Sequence, residues 1–512
     1  MKKTSLLLRV LLLTLALLMA LGSLAACGTE SGQTPDNTQG NAGGNETGTT
    51  GDPRYDADGY LKDALPEDLN FNKSVLILAG AEQKWHIGAM TEEENGDNVV
   101  GKAIFQRNET VQDRLGIEIT WDLQPNFQGA DQSAFMQKLE SDIKSSGEYD
   151  TVVSYNLLPY TLAMKGYLEN LATTEHIDLT APWWPSAFMD HMLYQGQIYA
   201  LVNNSGKGSL ENMSAIFFNN DLLEDYNLES PYDLVAKNEW TVGKLKELIQ
   251  GTYQDLNADG KVDAKDQFGL STSTNARLTC WYVGLGVKLI TRDENGDLRL
   301  TAGEPAVGNA IDTILDLFST TDSMLVDPLN GSNNNFAMFT EKRALFYLAT
   351  LWTAEYCVLN NLELNYGVVP NPKLNSEQDR YYTHMPNNHP IWYIPNTAEN
   401  IDCSSALIEC MASEAYRQVA PVYYENCVKL RYAPDERLAD MYDLVRASIT
   451  FDMNYVFRFV YPKDCDTWIR NCISNPDVHK WSSSWAGIRS MIETKFQEIV
   501  TIYGERSVDL EQ

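Results

Sequence analysis

The stretch SVLILAG, Ser74–Gly80, is an unbroken apolar run that ends in glycine, as expected of a strand buried on both faces of a sheet. The segment GKAIFQRNETVQDRLG follows, with Ile104, Val111 and Leu115 on one helical face and a final glycine to end the helix. IEITW, Ile117–Trp121, then alternates apolar and polar residues like a half-buried strand. A strand, a helix and a strand in this order predict the start of an α/β sheet.

The alternation of strands and helices continues along the chain. Phe135–Ile143 has a helical apolar period, and YDTVVSYN, Tyr149–Asn156, predicts another buried strand. GQIYALV from Gly196 and SAIFF from Ser214 predict two more strands, and ENGD between VKLI and LRL predicts a hairpin. A later helix carries Val307, Ile311, Ile314, Leu315 and Phe318 in register. We therefore predict the α/β class with two lobes, each a sheet covered by helices.

The size and the charge of the chain limit its possible roles. The body, residues 55–512, is too long for one ordinary domain, and 44% of the chain is hydrophobic, enough for two cores. The formal net charge is −31 at pH 7. Such a charge repels nucleic acids and anionic membrane surfaces, so we expect neither as a partner.

The N-terminus has the pattern of a lipoprotein signal. Three basic residues precede the apolar stretch Val10–Leu21, which is short for a membrane span but typical of a signal-peptide core. The small residues of LAAC then lead to Cys27 and are similar to a bacterial lipobox. This pattern predicts a signal peptide over residues 1–26 and a lipid on Cys27, with acyl chains such as palmitate. The alternative is an ordinary cleaved signal followed by an incidental cysteine.

The segment after Cys27 is expected to be a tether. Gly28–Pro53 contains no large apolar side chain, so residues 27–54 cannot form a packed core and should be flexible. A lipid on such a tether predicts that the protein is held on the outer face of the cell membrane by its anchor alone.

Seven further cysteines form an odd set that cannot all pair within one chain. They are Cys280, Cys357, Cys403, Cys410, Cys427, Cys465 and Cys472. Cys465 and Cys472, in CDTWIRNC, could close a small disulfide, but we expect scattered buried thiols instead.

The stretch DLNADGKVDAKD, Asp255–Asp266, has the spacing of a calcium-binding loop. A hard cation takes about six to eight oxygen ligands, which a tight loop supplies from alternate residues. The predicted ligands are Asp255, Asn257, Asp259, Lys261 through its carbonyl, Asp263 and Asp266, with Gly260 at the turn. A helix capped by Thr241 precedes the loop but a strand follows it, so we expect structural calcium rather than a calcium sensor. The alternative is a solvated acidic turn without an ion.

Motifs along the chain resemble, in order, those of one family. They are YDTVVSYN, GYLENL, PWW, GQIYAL, AIFFNNDLLEDY, EWTVGKLKELI, the aspartate loop leading into FGL, and NYGVVPNPK. From about Asn70 to Met453 the chain is similar in these motifs to bacterial extracellular solute-binding proteins related to maltose-binding protein. It looks most like the Gram-positive lipoprotein members, which often carry such a calcium-type loop. The segment NNSGKGS, Asn203–Ser209, departs from the Gly-Asp-like turn of many relatives.

The resemblance implies a type II periplasmic-binding-protein fold, in which two lobes joined by crossing segments close on a ligand. It also implies a binding protein rather than an enzyme, one that delivers its ligand to the permease subunits of an ABC importer. We expect a monomer. The expected lobes are residues 55–200 with a return at about 388–430, and residues 201–387, with C-terminal helices over about 431–512.

The expected ligand is a carbohydrate, in particular an oligosaccharide. Sugars present apolar faces and a rim of hydroxyl groups, so their sites combine aromatic rings with a few planar polar groups. The candidate ligand residues follow predicted strands or stand in stiff loops: Trp85, Ser154, Tyr155, Asn156, Trp183, Trp184, Trp281, Trp352 and Trp392. The alternative for each tryptophan is a place in the core.

Other chemistry has weaker support in the sequence. His384 and His389 in HMPNNH lack a third zinc ligand, and SGKGS lacks the spacing of a phosphate loop. The chain has no G-x-S-x-G motif. Two alternatives to the transport role stay open: a secreted carbohydrate-active hydrolase with a carboxylate pair, and a tethered sensory or adhesion module.

Overall fold

The apolar run that opens the β-α-β pattern forms a buried strand in the computed structural model of the chain. The structure describes residues 52–80, 87–89, 98–126, 129–155, 158–274, 277–326, 335–360, 362–386, 389–429, 432–433, 435–461 and 463–510. The signal peptide, the lipidated Cys27, most of the tether, Trp85 and Asn156 lie outside these residues and stay predictions.

The strands and helices alternate as the sequence predicts. The strands are β1 Lys73–Gly80, β2 Ile117–Gln124, β3 Thr151–Tyr155, β4 Leu201–Val202, β5 Ser214–Asn219, β6 Phe268–Ser273, β7 Ile290–Arg292, β8 Leu298–Leu300, β9 Ser323–Val326, β10 Ala344–Thr350, β11 Tyr366–Val369, β12 Thr383–His384, β13 Pro390–Tyr393 and β14 Ile449–Thr450. The α-helices are α1 Val99–Leu115, α2 Gly129–Ile143, α3 Pro159–Met164, α4 Ser186–Met192, α5 Gly208–Glu211, α6 Asn220–Asp225, α7 Pro231–Ala236, α8 Val242–Ile249, α9 Arg277–Gly284, α10 Pro305–Phe318, α11 Asn335–Thr340, α12 Trp352–Leu359, α13 Ile401–Glu414, α14 Glu436–Ala447, α15 Met453–Val456, α16 Cys465–Ser474 and α17 Trp481–Glu505.

Two five-stranded sheets organise the chain. The first has the order β2-β1-β3-β13-β4, with β1 parallel to β2 and β3, and β13 antiparallel to both of its neighbours. The second has the order β11-β5-β10-β6-β9, with β10, β6 and β9 parallel to one another and β5 antiparallel to β10 and β11. We call each sheet with its packed helices a lobe: lobe 1 contains the first sheet and lobe 2 the second.

Local sequence determines where the early helices begin and end. The Asn98 side chain accepts hydrogen bonds from the N–H groups of Val100 and Gly101 and so caps α1. Gly116, at φ 60°, ends the same helix in the left-handed conformation that glycine adopts without strain. The predicted cap Thr241 accepts from the N–H of Lys244 at the start of α8. The buried residues of α8 are those predicted from its period: Val242, Leu245, Leu248 and Ile249.

Within the part of the chain that the structure describes, three segments lead from one sheet to the other. Residues 203–213 lead from β4 to β5 and include the short helix α5. Residues 370–389 lead from β11 to β13 and pair with β14 through β12. The third crossing is π-helical over Ala415–Val419 and Pro421–Lys429, and it joins α13 of lobe 1 to α14, which packs on β11 of lobe 2. None of the described helices is both long and apolar enough to cross a lipid bilayer.

One detail of the sequence prediction was wrong. Within GQIYALV only Leu201 and Val202 form a strand, because a turn at Gln195 and Gly196 (φ 49° and 69°) precedes them. The N–H of Ile198 then donates to the side chain of Asn170 instead of to a neighbouring strand.

The disulfide that Cys465 and Cys472 could have closed is absent. Both residues lie on α16, seven residues apart, which places them about 10 Å apart along the helix axis. All seven cysteines of the described residues are buried thiols, which confirms the expectation of scattered buried thiols.

Candidate ligand-binding cleft

The carboxyl ends of the lobe 1 strands lie along one edge of their sheet. β1, β2 and β3 are parallel, so they end together. β4 ends at the same edge, because Val202 lies opposite Ile391 on β13, and Ile391 lies opposite Ser154 on β3. The first crossing segment, residues 203–213, therefore leaves lobe 1 at this edge.

The same segment reaches the corresponding edge of lobe 2. Ser214, the first residue of β5, lies opposite Thr350, the last residue of β10. The parallel strand β6 also ends at this edge, at Ser273. Open α/β sheets bind their ligands outside the carboxyl ends of the strands. The two carboxyl edges, joined by one crossing segment, thus define the candidate cleft.

Three aromatic side chains gather at the lobe 2 edge. Trp352 is the first residue of α12, directly after β10, and its side chain is 40% exposed. Its ring centroid lies 5.0 Å from that of Tyr356 and 6.1 Å from that of Phe336, and the rings of Phe336 and Tyr356 meet edge to face at 4.9 Å. We call Phe336, Trp352 and Tyr356 the aromatic cluster. Its half-exposed rings offer a surface for stacking beside the crossing segment.

Sequence reasoning found one member of the aromatic cluster and missed two. Trp352 is a predicted ligand residue that keeps an exposed face. Tyr356 lies four residues later on the same helix, a spacing that places both rings on one face and could have revealed it. Phe336 comes from α11, and no local signal in the sequence connects it with α12.

The other described tryptophans of the predicted site are packed inside the lobes. Their exposed fractions are 3% for Trp183, 3% for Trp184, 1% for Trp281 and 0% for Trp392. The indole N–H groups of Trp184, Trp281 and Trp392 donate to the carbonyl of Asp178, to Thr272 Oγ1 and to Ser205 Oγ, respectively. Their faces are covered by protein in this conformation, so their assignment as stacking platforms stays a prediction.

The predicted polar residues at the end of β3 are also enclosed. Ser154 is 0% exposed, donates to the carbonyl of Tyr155 and lies 3.0 Å from the hydroxyl of Tyr393. Tyr155 is 4% exposed. Both side chains therefore belong to the interior of lobe 1 in this conformation.

Comparison with solved structures identifies the architecture. The chain superposes on the GacH receptor of Streptomyces glaucescens with a TM-score of 0.52 and 16% identity, over 82% of this chain and 99% of that one. It superposes on the sugar-binding protein MalE of Xanthomonas citri with a TM-score of 0.53 and 15% identity, over 85% and 98%. For UgpB of Mycobacterium tuberculosis the TM-score is 0.51 and the identity is 13%, over 83% of this chain and 99% of that one.

The chain has the type II periplasmic-binding-protein fold. At these identities the likeness concerns the fold alone. No protein-family model matches the sequence, and no curated protein matches it either. The aromatic cluster stands at the carboxyl edge of the lobe 2 sheet, on the lobe 2 side of the candidate cleft.

The calcium-type loop lies on lobe 2, between α8 and β6. Its side chains accept hydrogen bonds from the loop's own backbone. Asp255 accepts from the N–H of Gly260, and Asn257 accepts from the N–H of Asp259. In the same way Asp259 accepts from the N–H of Lys261, and Asp263 accepts from the N–H of Lys265. Gly260 has φ 72°, which fits its predicted place at the turn. Asp266 closes the loop, and its Oδ2 accepts from the hydroxyl of Tyr253 and from the N–H of Asp263.

Two carboxylate oxygens of this loop suit a cation. Asp266 is 0% exposed, and its Oδ1 and the Oδ1 of Asp255 are buried without a hydrogen bond. A buried carboxylate oxygen is costly unless a donor or a cation satisfies it. Among the described residues, the ligand atoms of three or more His, Cys, Asp or Glu side chains lie within 4.8 Å of one another only at Asp63, Cys410 and Glu414. The loop would therefore have to draw its oxygens together around an ion.

The two histidines considered for zinc have partners of other kinds. The ring of His384 meets Tyr455 edge to face at 4.6 Å, and His389 Nδ1 lies 3.1 Å from the carbonyl of Pro386. Burial lowers the pKa of His384 to about 3 and that of His389 to about 4. Both rings are therefore neutral at physiological pH.

Proposed function

We propose that the protein is the extracytoplasmic solute-binding component of an ABC importer and that it binds a carbohydrate, in particular an oligosaccharide. The observation that carries this proposal is the half-exposed aromatic cluster at the carboxyl edge of the lobe 2 sheet. Two neighbours of the same fold support the ligand class: GacH was solved with acarbose, and MalE of Xanthomonas citri is described as sugar-binding.

Simple physical arguments connect this cleft with reversible binding. Aromatic rings stack on the apolar C–H faces of sugars, and polar groups at the rim take the hydroxyls. Lobes joined by crossing segments can close on a ligand through small hinge rotations. A micromolar Kd requires about −8 kcal/mol, which a few stacking contacts and a satisfied hydroxyl network can supply without covalent chemistry.

A titration of the purified protein with mono- and oligosaccharides tests the proposal. Trp352→Ala should weaken sugar binding by about 2 kcal/mol or more, roughly 30-fold, because it removes the exposed ring of the cluster. Phe459→Ala is the control, since Phe459 is 42% exposed and lies outside both sheet edges. Sugar binding that is unchanged in Trp352→Ala would contradict the assignment of this site.

The same experiments separate the alternatives. A hydrolase would release shorter products from an oligosaccharide, and one Asp or Glu substitution would abolish this release. UgpB was solved with glycerophosphocholine. If this protein binds a glycerophosphodiester and no sugar, the assignment as a solute-binding protein stands and the proposed ligand class is wrong. A sensory or adhesion module would also bind the sugar. In that case the response of the cell to the sugar would persist after deletion of the permease.

We propose in addition that Asp255–Asp266 holds a structural calcium ion. Asp255, Asn257, Asp259, Asp263 and Asp266 would supply side-chain oxygens, and Lys261 its carbonyl. The support is the spacing together with the two buried carboxylate oxygens that lack a hydrogen bond. Bound calcium would fix the turn between α8 and β6.

Thermal unfolding with calcium and with a chelator tests this metal site. The Tm should fall on chelation and in Asp259→Ala, and Asp259→Ala should no longer respond to calcium. Asp293→Ala is the matched control, because the side chain of Asp293 accepts hydrogen bonds from the N–H groups of Asn295 and Asp297 in an exposed acidic turn. Equal Tm values in calcium and in chelator would show a solvated turn.

We also propose that the mature protein is a monomer held on the outer face of the cell membrane by lipid on Cys27. The support is the sequence of residues 1–54, with a signal-peptide core, a lipobox-like LAAC and a polar tether. Cys27→Ser should release the protein into the medium or leave it as an unprocessed precursor. Normal processing with unchanged membrane retention would contradict the proposal.

A further inference from the structure

A buried cluster of charges joins the crossing segment to the helix that carries the aromatic cluster. Lys207 Nζ lies 2.7 Å from Glu355 Oε1 and 2.9 Å from Glu211 Oε2. The hydroxyl of Tyr423 donates to Glu355 Oε2 at 3.2 Å. The side chains of Lys207, Glu211 and Glu355 are only 8%, 2% and 12% exposed. The cluster is therefore shielded from water.

The members of this cluster come from three parts of the fold. Lys207 and Glu211 belong to the first crossing segment, residues 203–213. Glu355 stands in the first turn of α12 on lobe 2, between Trp352 and Tyr356 of the aromatic cluster. Tyr423 belongs to the π-helical crossing Pro421–Lys429, and its ring also lies 5.8 Å from Lys207 Nζ.

The crossing segment is anchored to lobe 1 just before Lys207. The guanidinium of Arg107 on α1 donates to the carbonyl of Ser205 at 2.8 Å and also to the carbonyls of Gly88 and Met411. The indole of Trp392 on β13 donates to Ser205 Oγ. Because Ser205 is fixed to lobe 1, a rotation of lobe 2 must change the contact between Lys207 and Glu355.

The charges of the cluster disfavour its partial separation. Burial would lower the pKa of Lys207, but the carboxylates of Glu211 and Glu355 raise it above its ordinary value, so the ammonium stays charged. A buried charge that loses its partner without gaining water is strongly destabilised. Partial separation is therefore unfavourable, whereas full opening lets water solvate all three charges.

We propose that Lys207, Glu211, Glu355 and Tyr423 form an interlobe latch that couples the position of α12 to the crossing segment and sets how far the ligand-free lobes are closed. The latch acts whatever the ligand is, and so it goes beyond the proposed function. π-Helical turns, such as those that hold Tyr423, frequently occur at functional sites within helices. A ligand that shifts Trp352 or Tyr356 would act on Glu355 through the same turn of helix.

Single-molecule fluorescence energy transfer on the full chain in mild detergent tests the latch without any ligand. Dyes on non-natural residues at the exposed Gln137 of lobe 1 and Glu247 of lobe 2 report the distance between the lobes. Glu355→Gln should raise the ratio of open to closed molecules by about tenfold, within the usual range of coupling between two states. Tyr423→Phe removes only the hydroxyl and should shift the ratio in the same direction by about twofold.

Asp150→Asn is the matched control. Asp150 has a side chain that is 9% exposed, and its carboxylate pairs with Lys73 Nζ at 3.0 Å and accepts from the N–H of Leu76, both on β1 of lobe 1. The variant should lower the Tm and leave the interlobe distances unchanged. The proposal is overturned if Glu355→Gln and Tyr423→Phe keep the parent distribution, or if Asp150→Asn shifts it as much as they do. If Glu355→Gln does not fold, Tyr423→Phe and Asp150→Asn decide the question.

Discussion

Glu409 shows how one buried carboxyl group sets a pH dependence of stability. It is 1% exposed on α13, and its Oε2 accepts from the N–H of Asp178. Burial raises its pKa to about 9, so the folded protein keeps at neutral pH a proton that the unfolded chain has lost. The stability that this group contributes therefore falls as the pH rises from about 4.5 to about 9. We expect Glu409→Gln to raise the Tm by several degrees at pH 8 and to have little effect at pH 4, measured by thermal unfolding across this range.

His389 produces the opposite dependence. Its folded pKa of about 4 lies below the ordinary value of 6.5, so the fold favours the neutral ring. The stability it contributes is complete above pH 6.5 and is lost as the pH falls toward 4, because the unfolded chain takes up the proton. The loss amounts to about 1.4 kcal/mol per pH unit. We expect His389→Gln to flatten the fall in unfolding free energy between pH 6.5 and pH 5 in urea titrations. Equal slopes for the parent and the variant would contradict this account.

At the level of elements, Gly116 links helix α1 to strand β2. Its φ of 60° is one that other residues adopt with strain, and an added Cβ would come within 2.1 Å of Asn70 Oδ1. Gly116→Ala should therefore lower the unfolding free energy by about 1 kcal/mol or more in urea titrations. Gly487→Ala is the control within α17, where a Cβ meets nothing within 4 Å. It should stabilise the protein by about 0.5–1 kcal/mol, because alanine favours helix over glycine.

Elements defined by local sequence were the ones that could be predicted. β1, α1 and α8 follow from an apolar run, a glycine stop and a threonine cap, each of which acts within a few residues. The strand predicted over GQIYALV was wrong for its first part, because a turn and the side chain of Asn170 take its backbone hydrogen bonds. The π-helical crossing has no sequence signal that we recognise. Its geometry depends on packing between the lobes.

At the level of the whole molecule, the position of the candidate cleft follows from the sequence pattern, whereas the side chains exposed there do not. The β-α-β order predicts carboxyl edges, and the resemblance predicts two lobes around a cleft. Whether a tryptophan faces solvent depends on elements far away in sequence: Tyr416 lies beside Trp183, and Phe318 beside Trp281. The same nonlocal packing brings Phe336 to Trp352. Sequence spacing alone could not have separated the core rings from the exposed ones.

The long C-terminal helix α17 connects the two lobes. Near its start the indole of Trp485 lies against Gly303, just before α10 of lobe 2. At its end the carbonyl of Tyr503 accepts from the side chain of Gln197, which leads into β4 of lobe 1. The ring of Tyr503 is 0% exposed and packs on Tyr199. A helix fixed at both ends should make the unfolding of one lobe destabilise the other.

We therefore expect the parent protein to unfold in a single calorimetric transition and a chain that stops after Lys480 to unfold in two. Removal of α17 takes away the contacts with both Gly303 and Gln197, so each lobe would then melt at its own temperature. A chain that stops after Leu510 keeps the whole helix and the hydrogen bond from the N–H of Val508 to the carbonyl of Gln195, so it is the control and should melt in one transition like the parent. A single transition in the chain that stops after Lys480 would show that the crossing segments alone couple the lobes.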